Sequence, residues 1–299
     1  MSASQLEAVI ADVSATFNRW GPATPIGQIR EDWDNLFANV VAEVRATAEP
    51  VSAGGVKAEW ICAPDAGKDR TILYLHGGGY VLGSVRSHRD ICERLSRAAA
   101  ARVLALDYRL APKNPFPAAV EDAVAAYEWL LGQGVPSAQI AISGDSAGGG
   151  LTLATLLALK ATKRPLPGCA AVLSPWVDME LLGESLTTND DLDPMVHKAM
   201  ATVMVETFLQ GADPRNPLAN PLYGDFTGLP PLLIHVGVRE TLLSDSLRVA
   251  QKARAAGVKT ELKVWDGQVH VFQIFASRLD EGEAAVREIG GFIDHHLTV

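Results

Sequence analysis

The sequence predicts an α/β protein built on a mainly parallel sheet with helices on both faces. Three observations predict it. Short apolar runs of strand length recur along the chain, helical stretches separate most of them, and no internal repeat, low-complexity tract or long linker divides the series. At 299 residues and 48% hydrophobic composition the chain can bury one large core, and α/β domains of that size are commonly single.

Residues 1–45 place Leu6, Ile10, Val13 and Phe17, then Trp33, Phe37, Val40, Val41 and Val44, at helical spacing. The spacing predicts two amphipathic helices broken near Gly21-Pro22. Alternation at Val56, Ala58, Trp60 and Cys62 predicts a strand, and apolar runs predict further strands at Ile72–Leu75, Val103–Leu106, Ile140–Ile142, Ala170–Leu173, Leu232–Val236 and Leu262–Trp265. Helices are expected at Ser87–Ala100, Ala118–Leu131, Ala147–Ala161, Ser244–Ala256 and Glu281–His296. The interval from Ser174 to Pro231 is rich in Pro, Asp, Asn and Gly, holds one helical run at Met195–Gln210, and reads as an insertion into the single domain.

The net charge of −9, from 26 Lys+Arg against 35 Asp+Glu, argues against nucleic acid or an anionic membrane as partner, because either would need a basic face. Cys62, Cys92 and Cys169 are an odd number without metal-ligand spacing, as expected in a reducing compartment. The N-terminus lacks a basic region followed by an apolar run, and no charge-free stretch could span a bilayer, so a cytoplasmic protein is expected.

The chemistry centres on Gly144-Asp145-Ser146-Ala147-Gly148, which runs from an apolar strand into an Ala-rich helix. A sharp strand-to-helix turn lifts the serine hydroxyl above the sheet and works only if the flanking glycines leave room, whereas the plainer reading makes Ser146 a helix cap. A nucleophilic serine needs a base, a carboxylate to orient it, and donors for an oxyanion. Of the seven histidines, His270 stands in a turn just after the last expected strand. His235 reads as a strand residue with a satisfied partner, His88 and His197 as helix-start residues, and His295 and His296 as a solvated tail. For the acid, the loop after Leu232–Val236 offers Glu240, with Asp245 in reserve; both lie between Ser146 and His270, in the order nucleophile, acid, histidine. Asp245 has a competing role at a helix N-terminus.

Oxyanion donors are suggested by Leu75-His76-Gly77-Gly78-Gly79-Tyr80, with the Ala147 N–H completing the hole. A dinucleotide turn is the rival reading there. The spacing Gly77, Gly79, Gly83 is not its usual fingerprint, and neither Tyr-x-x-x-Lys nor a Gly-x-x-x-x-Gly-Lys loop occurs, so no cofactor and no metal is expected. In Asp107-Tyr108-Arg109-Leu110-Ala111-Pro112, the two charged residues are expected to hold the loop after its strand, and Asp145 to tie down the elbow.

Together His76-Gly77-Gly78-Gly79, Asp107-Tyr108-Arg109-Leu110-Ala111-Pro112, Gly144-Asp145-Ser146-Ala147-Gly148-Gly149 and Asp193-Pro194-Met195 resemble the bacterial hormone-sensitive-lipase family of esterases, from about Val56 to the C-terminus. The resemblance implies an α/β-hydrolase fold with a helical cap, the core at 46–177 and 216–299 and the cap at 1–45 and 178–215. It implies oxyanion donors at Gly78, Gly79 and Ala147, with Gly77 shaping the turn, and a triad of Ser146, Glu240 and His270. The family usually carries aspartate in an Asp-Pro-Leu context where this chain has Glu240-Thr241-Leu242; a subgroup of similar esterases uses glutamate there. The implied activity is hydrolysis of short-chain acyl esters, small molecules, through an acyl-enzyme. A lactone or N-acetyl hydrolase using the same residues is the nearest alternative. A ligand-binding protein on the same fold, as in the plant gibberellin receptors that lost the histidine, is disfavoured because Ser146 and His270 are both present. Phe17, Trp20, Trp176, Met195 and Phe208 are the expected pocket-lining residues. Such esterases often pair through the last strand and helix, here about 260–296.

Overall fold

The computed structural model describes residues 3–21, 23–38 and 46–297. Among these, eight strands make one sheet: β1 (Thr47–Ala53), β2 (Val56–Cys62), β3 (Gly67–Leu75), β4 (Ala101–Leu106), β5 (Ile140–Asp145), β6 (Cys169–Leu173), β7 (Leu232–Gly237) and β8 (Thr260–Trp265), in the order β1-β2-β4-β3-β5-β6-β7-β8. β2 runs antiparallel to β1 and β4, and all other pairings are parallel. The helices are α1 (Ala3–Phe17), α2 (Ile26–Ala38), α3 (Val85–Ala98), α4 (Ala118–Gly132), α5 (Ala147–Ala161), α6 (Ser185–Thr188), α7 (Lys198–Leu209), α8 (Leu243–Ala255) and α9 (Asp280–His296).

The period of two divides each central strand between two cores. Leu73, Leu75, Ile140, Ile142, Val172 and Ile234 pack with α4, α5 and α8. Ile72, Tyr74, Ala141, Ala171 and Leu233 pack with α3 and α9, where Leu6, Val9, Val13 and Phe37 of α1 and α2 join them. Every residue of β5 is buried, the apolar Ile140–Ile142 run and the Ser143-Gly144-Asp145 end that leads into the elbow alike.

The two N-terminal helices form where the apolar spacing places them, but Val40, Val41 and Val44 lie outside the described residues. α3 begins two residues earlier than expected, because Ser84 and Ser87 form a reciprocal capping box that fixes Val85 as its first residue. α7 starts at Lys198 rather than Met195, since Asp193 Oδ1 accepts from the N–H groups of Met195 and Val196 and holds that segment as a turn. Strand β1 was not among the expected elements. No helix of the described residues is long and apolar enough to cross a membrane, and the three cysteines are free.

Candidate active site

The loops that follow β3, β5, β6, β7 and β8 carry the site, at the carboxyl ends of parallel strands where α/β folds place their ligands. Between β5 and α5, Ser146 takes φ 52° and ψ −121°, and its side chain makes no capping bond. The helix-cap reading therefore fails. The elbow is held by its own backbone: Ser146 N–H donates to Leu173 O (2.8 Å) on the neighbouring strand, and Trp176 N–H donates to Ser146 O (2.9 Å). It also needs Gly148, where a Cβ would come within 1.9 Å of Leu75 O. A strained backbone persists only where its surroundings over-determine it, and such residues cluster at active sites.

Ser146 and His270 line one small cavity with Gly78, Gly79, Trp176, Met195, Leu242 and Met204. His270 follows β8, and its Nδ1 lies 2.9 Å from Glu240 Oε2. Glu240 is fully buried, and its second oxygen accepts from the Ser174 hydroxyl (2.8 Å) and from Gly237 N–H. Ser174 Oγ in turn accepts from Val271 N–H (3.2 Å), so loops after β6, β7 and β8 meet on one carboxylate. Asn189 adds a bond to Glu240 O (2.8 Å). Burial pushes the Glu240 carboxyl up, and it also pulls on His270 in the opposite sense. For the histidine, the hydrogen bond and charge of Glu240, with the Asp193 carboxylate beyond it, win and raise its pKa above the ordinary 6.5.

Asp245 is elsewhere. Its Oδ2 accepts from Val177 N–H (3.0 Å) and Asp178 N–H (3.1 Å), holding the chain beyond Trp176, and burial pushes its carboxyl up to about 7. The structure thus joins Glu240, not Asp245, to His270.

After β3, Gly78 and Gly79 take φ 114° and 62° and border the cavity. Gly77 N–H instead donates to Asp145 Oδ1 (3.0 Å). That oxygen also accepts from Tyr74 Oη (2.9 Å), while Oδ2 lies 3.4 Å from His88 Nε2, so Asp145 pins the glycine turn to the elbow. Ala147 opens α5, where a first-turn N–H has no partner within the helix. His76 stacks on Tyr108 at 4.2 Å, and burial pulls its pKa down to about 3, which keeps it neutral below the turn.

His235, on β7, has the partner expected of it, accepting from Trp265 Nε1 (3.2 Å) through Nδ1, while its Nε2 makes no hydrogen bond and lies 3.8 Å from Glu288 Oε2. Asp107 accepts from Val85 N–H (3.3 Å), and Arg109 reaches forward to Asp122 and Glu121 on α4, fixing the loop after β4. Of the expected pocket residues, Phe17, Trp176 and Met195 line the cavity, and Trp20 lines a groove beside it. Phe208 does not: it is buried and stacked on Tyr80 at 3.9 Å. Ser174 and Asn189 were not expected; the position of Ser174 at the end of a buried parallel strand was the available signal.

The cavity at Ser146 measures about 30 Å³. Across Phe17, Met200 and Met204 lies a groove of about 1020 Å³ between α1, α2 and α7, with Ile26, Leu192 and Val203 on its walls. Among the described residues no cluster of three or more His, Cys, Asp or Glu could hold a metal ion.

The sheet order and the strand–serine–helix elbow define an α/β-hydrolase fold. A sequence profile of the alpha/beta hydrolase fold family matches residues 72–274. An acetyl-hydrolase of Streptomyces hygroscopicus is 46% identical over 243 residues, 81% of this chain and 81% of that protein. An esterase of Acinetobacter venetianus is 36% identical over 81% of this chain and 80% of its own length. Among solved structures, an esterase from the bacterial hormone-sensitive lipase family superposes with a TM-score of 0.96 at 46% identity, covering 100% of both chains. A hormone-sensitive lipase from a metagenome library gives 0.93 at 37% identity over 98% of each. The chain belongs to the bacterial hormone-sensitive-lipase family of esterases.

Proposed function

We propose that this protein is a serine carboxylesterase for short-chain acyl esters, with Ser146 as nucleophile, His270 as base and then acid, and Glu240 as the carboxylate that orients it. The observation that carries this reading is the 2.9 Å bond from buried Glu240 to a histidine sharing a cavity with a serine at φ 52°. Glu240 holds the proton on Nδ1 and leaves Nε2 free to accept the serine's. Ser146 Oγ attacks the ester carbon, and the carbonyl electrons move onto oxygen. The N–H groups of Gly78, Gly79 and Ala147 receive that oxyanion. Collapse expels the alcohol, which takes its proton from His270, and water repeats the cycle on the acyl-enzyme. None of these steps calls on a cofactor.

A cavity of about 30 Å³ beside the serine has room for little more than one or two water-sized groups, which favours short acyl chains. The acetyl-hydrolase name of the Streptomyces relative supports the same limit. We assign the cap to residues 1–45 and 178–215 on the core of 46–177 and 216–299, since α1, α2 and α7 wall the groove outside the cavity. Three free thiols fit a reducing cytoplasm, and the half-exposed edge strand β8 with α9 is where two copies would pair; light scattering tests the latter.

Hydrolysis of p-nitrophenyl esters from acetate to palmitate, run beside Ser146→Ala, tests the reading. A rate maximum at short chains that disappears in the variant is expected; hydrolysis retained by Ser146→Ala would overturn it.

A further inference from the structure

The turn after β3 rests on glycines that permit positive φ and on one residue, Tyr80, that resists it. Gly78, Gly79, Tyr80 and Gly83 all have positive φ (114°, 62°, 62° and 87°), and Tyr80 has a side chain that disfavours it. Within the turn, Gly78 O accepts from Val81 N–H (3.1 Å) and Leu82 N–H (2.8 Å). A strained segment keeps its shape only if its surroundings over-determine it. One support comes from the loop after β4, where Ala111 N–H donates to Tyr80 O (3.0 Å). Asp145 supplies a second through Gly77 N–H, and a third comes from helix α2. Arg30 donates through Nε to Val81 O (2.9 Å) and through Nη2 to Ala111 O (2.8 Å). One guanidinium thus staples the turn to the segment that braces it, a two-pronged geometry that suits arginine and not lysine.

We propose that Arg30 is a positioning residue for the oxyanion hole: by bridging Val81 O and Ala111 O it holds the turn that aims the Gly78 and Gly79 N–H groups. This rests on the assignment of those groups as oxyanion donors. Arg30 itself lines neither the cavity nor the groove, although its partner Val81 borders the groove, so loss of the staple is read mainly in kcat and less in KM. Removing one oxyanion donor outright typically costs about 100- to 1000-fold in turnover, and loosening two costs less, on the order of tenfold.

The experiment compares Arg30→Ala, Arg30→Lys and Asn35→Ala with the wild type and Ser146→Ala. Asn35 takes a bond from Arg86 and ties α2 to α3 without reaching the turn. Arg30→Ala is expected to lose about tenfold in kcat with KM nearly unchanged, and to bind a trifluoromethyl ketone, which adds to the serine as a tetrahedral oxyanion, more weakly by a similar factor. Millimolar guanidinium should restore part of both, and Asn35→Ala should match the wild type. Should Arg30→Ala fail to fold, Arg30→Lys carries the test, with a smaller loss in the same two quantities. Unchanged kcat and ketone affinity in the Arg30 variants beside an active wild type overturn the proposal alone. A parallel loss in Asn35→Ala with a raised KM overturns it too, in favour of general docking of α2. A wild type without Ser146-dependent hydrolysis overturns the assignment beneath it.

Discussion

Replacing Glu240 by glutamine changes one atom and should cost almost all of the activity. The carboxylate has two faces in the structure. Oε2 meets His270 Nδ1 at 2.9 Å, and Oε1 takes donors from the Ser174 hydroxyl and Gly237 N–H. Gly237 N–H can only donate, so the carbonyl oxygen of glutamine must occupy that side and its NH2 must face His270. An NH2 opposite Nδ1 favours the tautomer protonated on Nε2, which cannot accept the proton of Ser146. A tautomer inversion of this kind lowers kcat by about 10⁴, which at 1.36 kcal/mol per tenfold is about 5 kcal/mol of transition-state stabilisation. Stability should change little, because the replacement removes a buried charge while retaining its shape. Pre-steady-state release of p-nitrophenol from the acetate ester reads acylation directly, and thermal unfolding reads the fold. Asp245→Asn is the companion variant: its carbonyl can still accept from Val177 and Asp178, so its rate should stay near wild type. A Glu240→Gln enzyme within tenfold of wild type, or an Asp245→Asn enzyme equally impaired, would refute the assignment of the acid.

The remaining expectations concern the glycine turn, the histidine and the cavity wall. Gly78→Ala places a Cβ 2.3 Å from the backbone oxygen of Leu82 at φ 114°, so the turn must move and kcat/KM should fall about 100- to 1000-fold. Gly79→Ala meets only the flexible end of Met204, at 2.2 Å from Sδ, and should lose less; the opposite order in steady-state kinetics would count against this reading of the turn. Because Glu240 raises the His270 pKa above 6.5, and only the neutral imidazole can take the serine's proton, activity is lost as pH falls through that raised value. The acid limb of kcat/KM should therefore have its midpoint above 6.5 and move down in Glu240→Gln; a wild-type midpoint below 6.5 would contradict it. Met204→Ala removes part of the wall between the small cavity and the large groove and should lengthen the preferred acyl chain, which the p-nitrophenyl ester series measures. An unchanged profile would show that the two spaces are not joined there.

The inner strands were legible because burial on both faces leaves almost nothing but apolar residues in them, as in Ile140–Ile142 and Ala170–Leu173. Strand β1 was not, because Thr47-Ala48-Glu49-Pro50-Val51-Ser52-Ala53 is an exposed edge carrying a proline and no alternation. Its pairing is dictated by the hairpin at Gly54-Gly55, whose register joins Ala53 to Val56. At the site, Ser146 and His270 stand at strand ends recognisable from local pattern. The choice between Glu240 and Asp245 was not local: both follow β7 within a few residues, and only the course of the loop decides which reaches the imidazole. Arg30, Ser174 and Asn189 act largely through backbone atoms of distant segments, and a bond to a carbonyl leaves no trace in the identity of the residue that supplies it. Phe208 shows the same limit from the other side, since an aromatic beside a pocket and one stacked in the core have the same composition.

Glutamate at position 240 has a consequence for how the site is assembled. A buried carboxylate is costly unless its lone pairs are met. Here the donors come from two loops and a strand end: His270 after β8, Ser174 after β6, and Gly237 at the end of β7 itself. The extra methylene over aspartate lets one carboxylate span from the strand end at Gly237 to the imbedded face of His270. Ser174, also at positive φ, then links this charge to Val271 N–H, next to the histidine. Asp193 closes the other side by accepting from both the N–H and hydroxyl of Thr241, the residue after the acid, while its second oxygen holds the turn before α7. The Glu240 loop and the segment carrying Met195 into the cavity are thus fixed by the same carboxylate, so a shift of α7 reaches His270 through two hydrogen-bonded residues instead of through solvent.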